Sequence, residues 1–98
     1  MPTYIMLGTF TDQGVRAARD TTQRAQAARD LGKRVGVTVR DVYWTLGQYD
    51  VALVAEAPDD ETMTAFGLSV GSLGNVRTQT LRAFTPDEMG AVLGKMTK

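Results

Sequence analysis

The sequence predicts an α+β domain whose elements follow the order β-α-β-β-α-β, with one further helix at the end. Three observations predict it. A strand-length apolar run opens the chain, two stretches of helical periodicity flank a β-rich hairpin, and the later helices carry recognisable start signals. With 98 residues and 43% hydrophobic content the chain holds one packed core, so a single domain over residues 1–98 is expected.

The first strand runs from Pro2 to Thr11, through β-branched, aromatic and long apolar residues interrupted by Gly8, and Asp12 then supplies a first-turn acid. From Gln13 to about Val35 the apolar positions Val15, Ala18, Ala25, Ala28 and Leu31 recur near three-and-four spacing. This reads as one long amphipathic helix, closed by Gly36 as a left-handed cap. Val37–Leu46 and Tyr49–Ala57 are β-rich runs separated by Gly47-Gln48, where glycine in the first central position suits a two-residue turn. That turn pairs Leu46 with Tyr49, Trp44 with Val51 and Val42 with Leu53 on a core face. The other face then carries Asp41, Tyr43, Thr45, Asp50, Ala52, Val54 and Glu56.

Pro58-Asp59-Asp60-Glu61 opens the second helix, whose stripe is Met63, Phe66, Val70 and Leu73 and whose end is Gly74-Asn75. Val76–Phe84, weakly alternating and carrying Arg77 and Arg82, reads as an edge strand. Thr85-Pro86-Asp87-Glu88 is a capping box with proline at the first helical position, and it starts a last helix through Met89, Val92, Leu93 and Met96. The order is the ferredoxin-like plan, a four-stranded antiparallel sheet with helices on one face. The strand from Tyr49 to Ala55 is central in that plan and apolar on both sides. The open face is therefore expected to be covered by a second copy, giving a dimeric α/β barrel.

Composition removes much chemistry. The chain has no cysteine and no histidine, which excludes disulfides, thiolate or imidazole metal sites and nucleophilic catalysis built on Cys/His or Ser/His pairs. Eleven basic residues balance eleven acidic ones, but unevenly. Residues 1–40 hold seven basic against three acidic side chains, and residues 41–98 hold four against eight. Arg16, Asp20 and Arg24 stand at helical spacing, so the basic excess reads as a solvated helix face with i,i+4 pairs rather than a nucleic-acid surface. No signal peptide or membrane span is visible, and a cytoplasmic location is expected. The glycines at 67, 71 and 74 fall on a helix and form no phosphate loop.

The segments Tyr4-Ile5, Thr11-Asp12-Gln13-Gly14, Tyr43-Trp44-Thr45-Leu46-Gly47-Gln48-Tyr49-Asp50, Glu56-Ala57-Pro58-Asp59-Asp60 and Gly74-Asn75-Val76-Arg77-Thr78 together resemble the GYD domain family over nearly the whole chain. The resemblance implies a small bacterial or archaeal protein of the dimeric α/β barrel superfamily, a homodimer or higher homo-oligomer. It names no reaction. That superfamily includes haem-degrading monooxygenases, cofactor-independent monooxygenases, lactone isomerases and ligand-sensing domains. Its haem-degrading members pair Asn and Trp with a histidine ligand. This chain offers Asn75 and Trp44 but no histidine, and no cofactor is assigned.

Asp50, with Tyr43 and Glu56, forms the candidate catalytic set, because carboxylates gathered in a partly desolvated cleft raise one another's pKa toward acid-base work. The alternative is that Asp50 binds turn amides or pairs with Arg77 or Arg82. Tyr49, Trp44, Asn75 and Arg77 are candidate ligand contacts, with packing, capping and an ion pair as the competing roles. Gly47 is assigned to the turn alone. Three functions remain open on the sequence: a non-catalytic homo-oligomeric module that binds a small ligand; a cofactor-independent monooxygenase or isomerase acting on a small aromatic or lactone-like substrate, with Asp50 or Glu56 as base; and a divalent-metal site on Asp41, Asp50 and Glu56. The second requires a cavity of roughly 300 Å³ reaching one of these carboxylates, and the third requires convergence of their oxygens.

Overall fold

The computed structural model describes residues 1–97. Strand β1 (Thr3–Phe10) lies at the centre of a four-stranded antiparallel sheet with β3 (Val51–Glu56). The edges are β2 (Thr38–Trp44) and β4 (Val76–Ala83), giving the order β2-β3-β1-β4. Helices α2 (Thr21–Val35) and α3 (Asp60–Ser72) cover one face, as the ferredoxin-like plan requires. Alternation along the strands places Tyr4, Met6, Val39, Leu53 and Ala55 beneath those helices. They form one core with Val37, Ala57, Met63 and Phe66.

Local chemistry explains the helix boundaries. Asp59 accepts the Thr62 amide at 2.8 Å to start α3, and bonds from Thr62 hold its carboxyl below the usual carboxylate range. Gly36, at φ +93°, ends α2 in the left-handed region where a side chain is strained. Tyr4 donates its hydroxyl to Asp60 at 2.5 Å, tying β1 to the first turn of α3. Burial, then the hydrogen bond to Asp60, pushes its phenol up to about 12.

Several sequence expectations change. The long first helix is three pieces: α1 (Asp12–Arg16), a single turn of 3₁₀ helix over Ala18–Asp20, and α2. At Ala17 the backbone leaves the helical region, and the guanidinium of Arg24 takes up the carbonyls of Ala17 at 2.6 Å and Gly14 at 3.2 Å. The Arg16/Asp20/Arg24 pairs therefore do not form; among the described residues the ion pairs are Arg40–Glu56 and Arg82–Glu88. Val15, expected in the core, is exposed.

The hairpin register holds from Trp44↔Val51 through Asp41↔Val54, then a bulge at Arg40 shifts the pairing to Val39↔Ala55. The connection is longer than two residues. The ladder stops at Trp44, and residues 45–50 form a loop closed by the Thr45 amide on the Asp50 carbonyl at 2.9 Å. Leu46 points wholly into solvent instead of joining the core, and Gly47 takes φ +115°.

The last helix, α4 (Pro86–Gly94), has its full capping box, with the Glu88 amide on the Thr85 hydroxyl and the Thr85 amide on the Glu88 carboxylate. Glu88 ties it to Arg82 of β4 at 3.5 Å, but it packs little against the other elements, and Met89, Val92 and Leu93 stay exposed along it in a body of 52 Å by 31 Å by 18 Å.

Candidate functional site

The loop between β2 and β3 is organised around Asp50. Its amide donates to the Gly8 carbonyl at 2.8 Å, its carbonyl accepts from Thr45, and its carboxylate accepts the Phe10 amide at 2.8 Å. The carboxylate therefore lies in line with the sheet, satisfying β1 where β3 has run out. It does not rise from the open face beside Tyr43, and it meets neither Arg77 nor Arg82. The Thr45 hydroxyl donates to the Tyr49 carbonyl at 2.5 Å, which fixes the same loop from within.

Tyr43 and Glu56 do face the uncovered side of the sheet, but the strands hold the three groups apart. Asp50 and Glu56 are six residues apart along β3, about 20 Å at the rise of an extended chain. Glu56 pairs with Arg40 across the bulge, and Tyr43 is 60% exposed. No group of acidic residues that could hold a metal ion exists among the described residues, so Asp41, Asp50 and Glu56 do not converge as a metal site requires. Tyr49, expected in the core, crosses to the open face and donates its hydroxyl to Gln79 of β4 at 2.9 Å. The six-residue loop breaks the two-residue alternation and lets it turn over.

A second cluster joins the start of α1 to the end of α3. Thr11 donates its amide to the Asn75 carbonyl at 3.0 Å and its hydroxyl to the Gly74 carbonyl at 2.6 Å, while that hydroxyl accepts the Gly14 amide. Gln13 donates to the Asn75 side chain at 3.0 Å and to the Leu73 carbonyl. Gly14 is pressed so closely on Asn75 that a Cβ would stand 2.0 Å from its carbonyl oxygen. Thr11-Asp12-Gln13-Gly14 and Gly74-Asn75 thus meet as one backbone knot. Arg77, on the open side of β4, makes no ion pair among the described residues.

The open sheet face carries Ile5 and Leu7 of β1 and Ala52 and Val54 of β3 in its centre, all half-buried, with Tyr43 and Leu81 exposed at its flanks. On the other face, beneath α2, there is a cavity of about 80 Å³. Its walls include Met6, Val42, Leu53, Val70, Ala25 and Ala28. Trp44 and Asn75 stand on its lining, and the Trp44 indole donates to the Thr21 hydroxyl at 2.9 Å. None of Asp50, Tyr43 or Glu56 reaches it. Sequence reasoning did not place Arg24, the charged member of the lining, or Phe10, which joins Trp44 as an aromatic there. The available signal was an arginine directly beside the alanine stripe of the first helix.

Residues 4–93 match the GYD domain family. The Glutamine synthetase and cystathionine beta-lyase binding protein of Thermus thermophilus is 38% identical over 84 residues, which cover 85% of this chain and 88% of that protein. Among solved structures, the crystal structure of TTHA0845 from Thermus thermophilus aligns with a TM-score of 0.64 at 25% identity, covering 87% of this chain and 95% of that one. MtbAldR aligns with a TM-score of 0.67 at 18% identity and covers 86% of this chain; the chain spans about half of MtbAldR, 53%. The matched segment contains both the Thr45–Asp50 loop and the Thr11–Asn75 knot, and the chain belongs to the GYD domain family.

Proposed function

We propose that the protein is a non-catalytic binding module that pairs with a second copy through its open sheet face and, as a dimer, holds other proteins. The observation that carries this reading is the uncovered face itself. Ile5, Leu7, Ala52 and Val54 form a continuous apolar centre on the two middle strands, a feature that monomers rarely expose to water. Asp41 lies on the β2 edge and Arg77 on the β4 edge. A twofold that lays β2 of one copy beside β4 of the other brings unlike charges together.

The protein-binding half of the proposal follows the relative whose name states that it binds glutamine synthetase and cystathionine beta-lyase. Enzymes of those two kinds are the partners proposed here. The carboxylates that a monooxygenase or isomerase would use as base are already committed, Asp50 to the Phe10 amide and Glu56 to Arg40.

Sedimentation equilibrium of the wild type and Val54→Asp tests the pairing. A dimer at micromolar concentration that becomes a folded monomer in the variant supports it, whereas a wild-type monomer overturns it. Biolayer interferometry against glutamine synthetase and cystathionine beta-lyase of the same organism tests the partners, and absence of binding to both removes that half.

A further inference from the structure

The cavity beneath α2 has features that a packing defect does not explain. Helix α2 is pinned to β2 at two points, by Trp44 on Thr21 at its first turn and by Arg29, at mid-helix, on the Val39 carbonyl at 2.8 Å. Between those pins it presents Ala25 and Ala28 to the sheet, so the side chains that would fill the gap are missing where the backbone spacing is fixed. An empty apolar cavity lowers stability in proportion to its volume. One larger aliphatic residue on α2 would occupy this one.

Its lining contains one charged side chain, Arg24, which is half-buried and has no carboxylate partner among the described residues. The guanidinium is held in place without being neutralised. It spends one N–H on each of the Ala17 and Gly14 carbonyls and lies over the Phe10 ring at 5.7 Å. An arginine has five N–H donors in a rigid fork, so donors remain for a ligand, and the fork matches a carboxylate. Thr21 and Asn75 add polar groups to a lining that is otherwise chiefly apolar.

We infer that this cavity is a binding site for a short aliphatic carboxylate, its apolar end between Ala28 and Leu53 and its carboxylate on Arg24. Size sets the chain length. A volume of about 80 Å³ holds roughly three groups of methylene size, since a water molecule's share of the liquid is about 30 Å³. With the head group outside on Arg24, this gives an acid of about four or five carbons. The site lies on the helix side of the sheet, so the inference stands independently of pairing through the open face.

The test uses isovalerate and its neutral isostere isoamyl alcohol as probes, with saturation-transfer NMR and thermal unfolding of the full chain as readouts. Isovalerate is expected to show saturation transfer and to raise Tm, with the alcohol at least about tenfold weaker, the factor that one charge-assisted hydrogen bond supplies. Arg24→Met should bring acid and alcohol to equal affinity, and Arg24→Lys should restore part of the preference if the methionine variant folds poorly. Ala28→Leu should fill the cavity, keep or raise Tm and abolish binding of both probes. The inference is overturned if folded wild-type protein binds neither probe at millimolar concentration, if the alcohol binds as tightly as the acid, or if Ala28→Leu leaves binding unchanged.

Discussion

Replacing Gly14 with alanine sets two effects of opposite sign against each other. Gly14 is inside α1, where alanine is favoured over glycine by about 0.8–1 kcal/mol of helix propensity. Against that, the added Cβ would stand 2.0 Å from the Asn75 carbonyl oxygen and 3.0 Å from its carbon. Close carbon-to-oxygen contacts sit at about 3.3–3.6 Å, so α1 and the Gly74–Asn75 turn must part by more than about an ångström. Both partners are backbone, and neither can rotate away. Parting them stretches the Thr11–Asn75 bond at 3.0 Å and the Thr11–Gly74 bond at 2.6 Å together. Overpacking costs about 1–3 kcal/mol and a weakened hydrogen bond about 1. After the propensity gain, a net loss of about 2 kcal/mol is expected, which lowers Tm by about 10 °C in a domain of this size. Gly90→Ala in α4 is the control, because nothing lies within 4 Å of its added Cβ, and its Tm should not fall. The assay is thermal unfolding by circular dichroism with urea titration alongside. A Gly14→Ala protein that melts at or above wild type would refute the close-approach argument.

Three further outcomes are expected. Tyr4 has its phenol raised from 10.0 to about 12, so the folded state holds that proton longer than the unfolded chain does; its contribution is complete below pH 10 and is lost as pH rises from 10 toward 12. After screening at the hydroxyl end this amounts to about 1–2 kcal/mol, read as a fall in urea midpoint between pH 9 and 11.5 that Tyr4→Phe should lack; an equal fall in both proteins contradicts it. Asp50→Ala leaves the Phe10 amide without its acceptor and should cost about 1–3 kcal/mol, with faster hydrogen exchange at Phe10, whereas unchanged protection there would dismiss the ladder role. Thr85→Ala removes one half of the α4 capping box, worth about 1 kcal/mol to that helix. Because α4 packs little against the body beyond the Arg82–Glu88 pair, chemical shifts over 86–94 should lose helicity while the global urea midpoint stays put, and a lowered midpoint would mean that α4 shares in the cooperative core.

Hydrophobic period, capping residues and turn glycines are local signals, and they carried most of the architecture. Met63, Phe66 and Val70 of the α3 stripe, the Asp59 cap, Gly36 and the Thr85/Glu88 box all lie where residue type and spacing place them, whereas Leu73, the fourth position of that stripe, caps the helix and is exposed. The register from Trp44 to Asp41 was equally legible, since Val42 and Leu53 had to share a buried face. Legibility failed where a residue answers to something distant in sequence. Tyr49 and Leu46 left the core because a six-residue loop, tied through Asp50 to β1, replaced the tight turn. Arg24 looked like one charge on a solvated face until the break at Ala17 turned it onto the carbonyls of Ala17 and Gly14.

The sequence by itself determined the order of elements, the ferredoxin-like plan and the absence of thiol and imidazole chemistry. Each of these depends on residue type and on neighbours within a turn or two. The tertiary structure decided which carboxylates are structural, where the first helix breaks and where an apolar cavity meets an unpaired arginine. Those outcomes depend on the approach of backbones far apart in the chain, Gly8 to Asp50 and Gly14 to Asn75, and no local period encodes that distance.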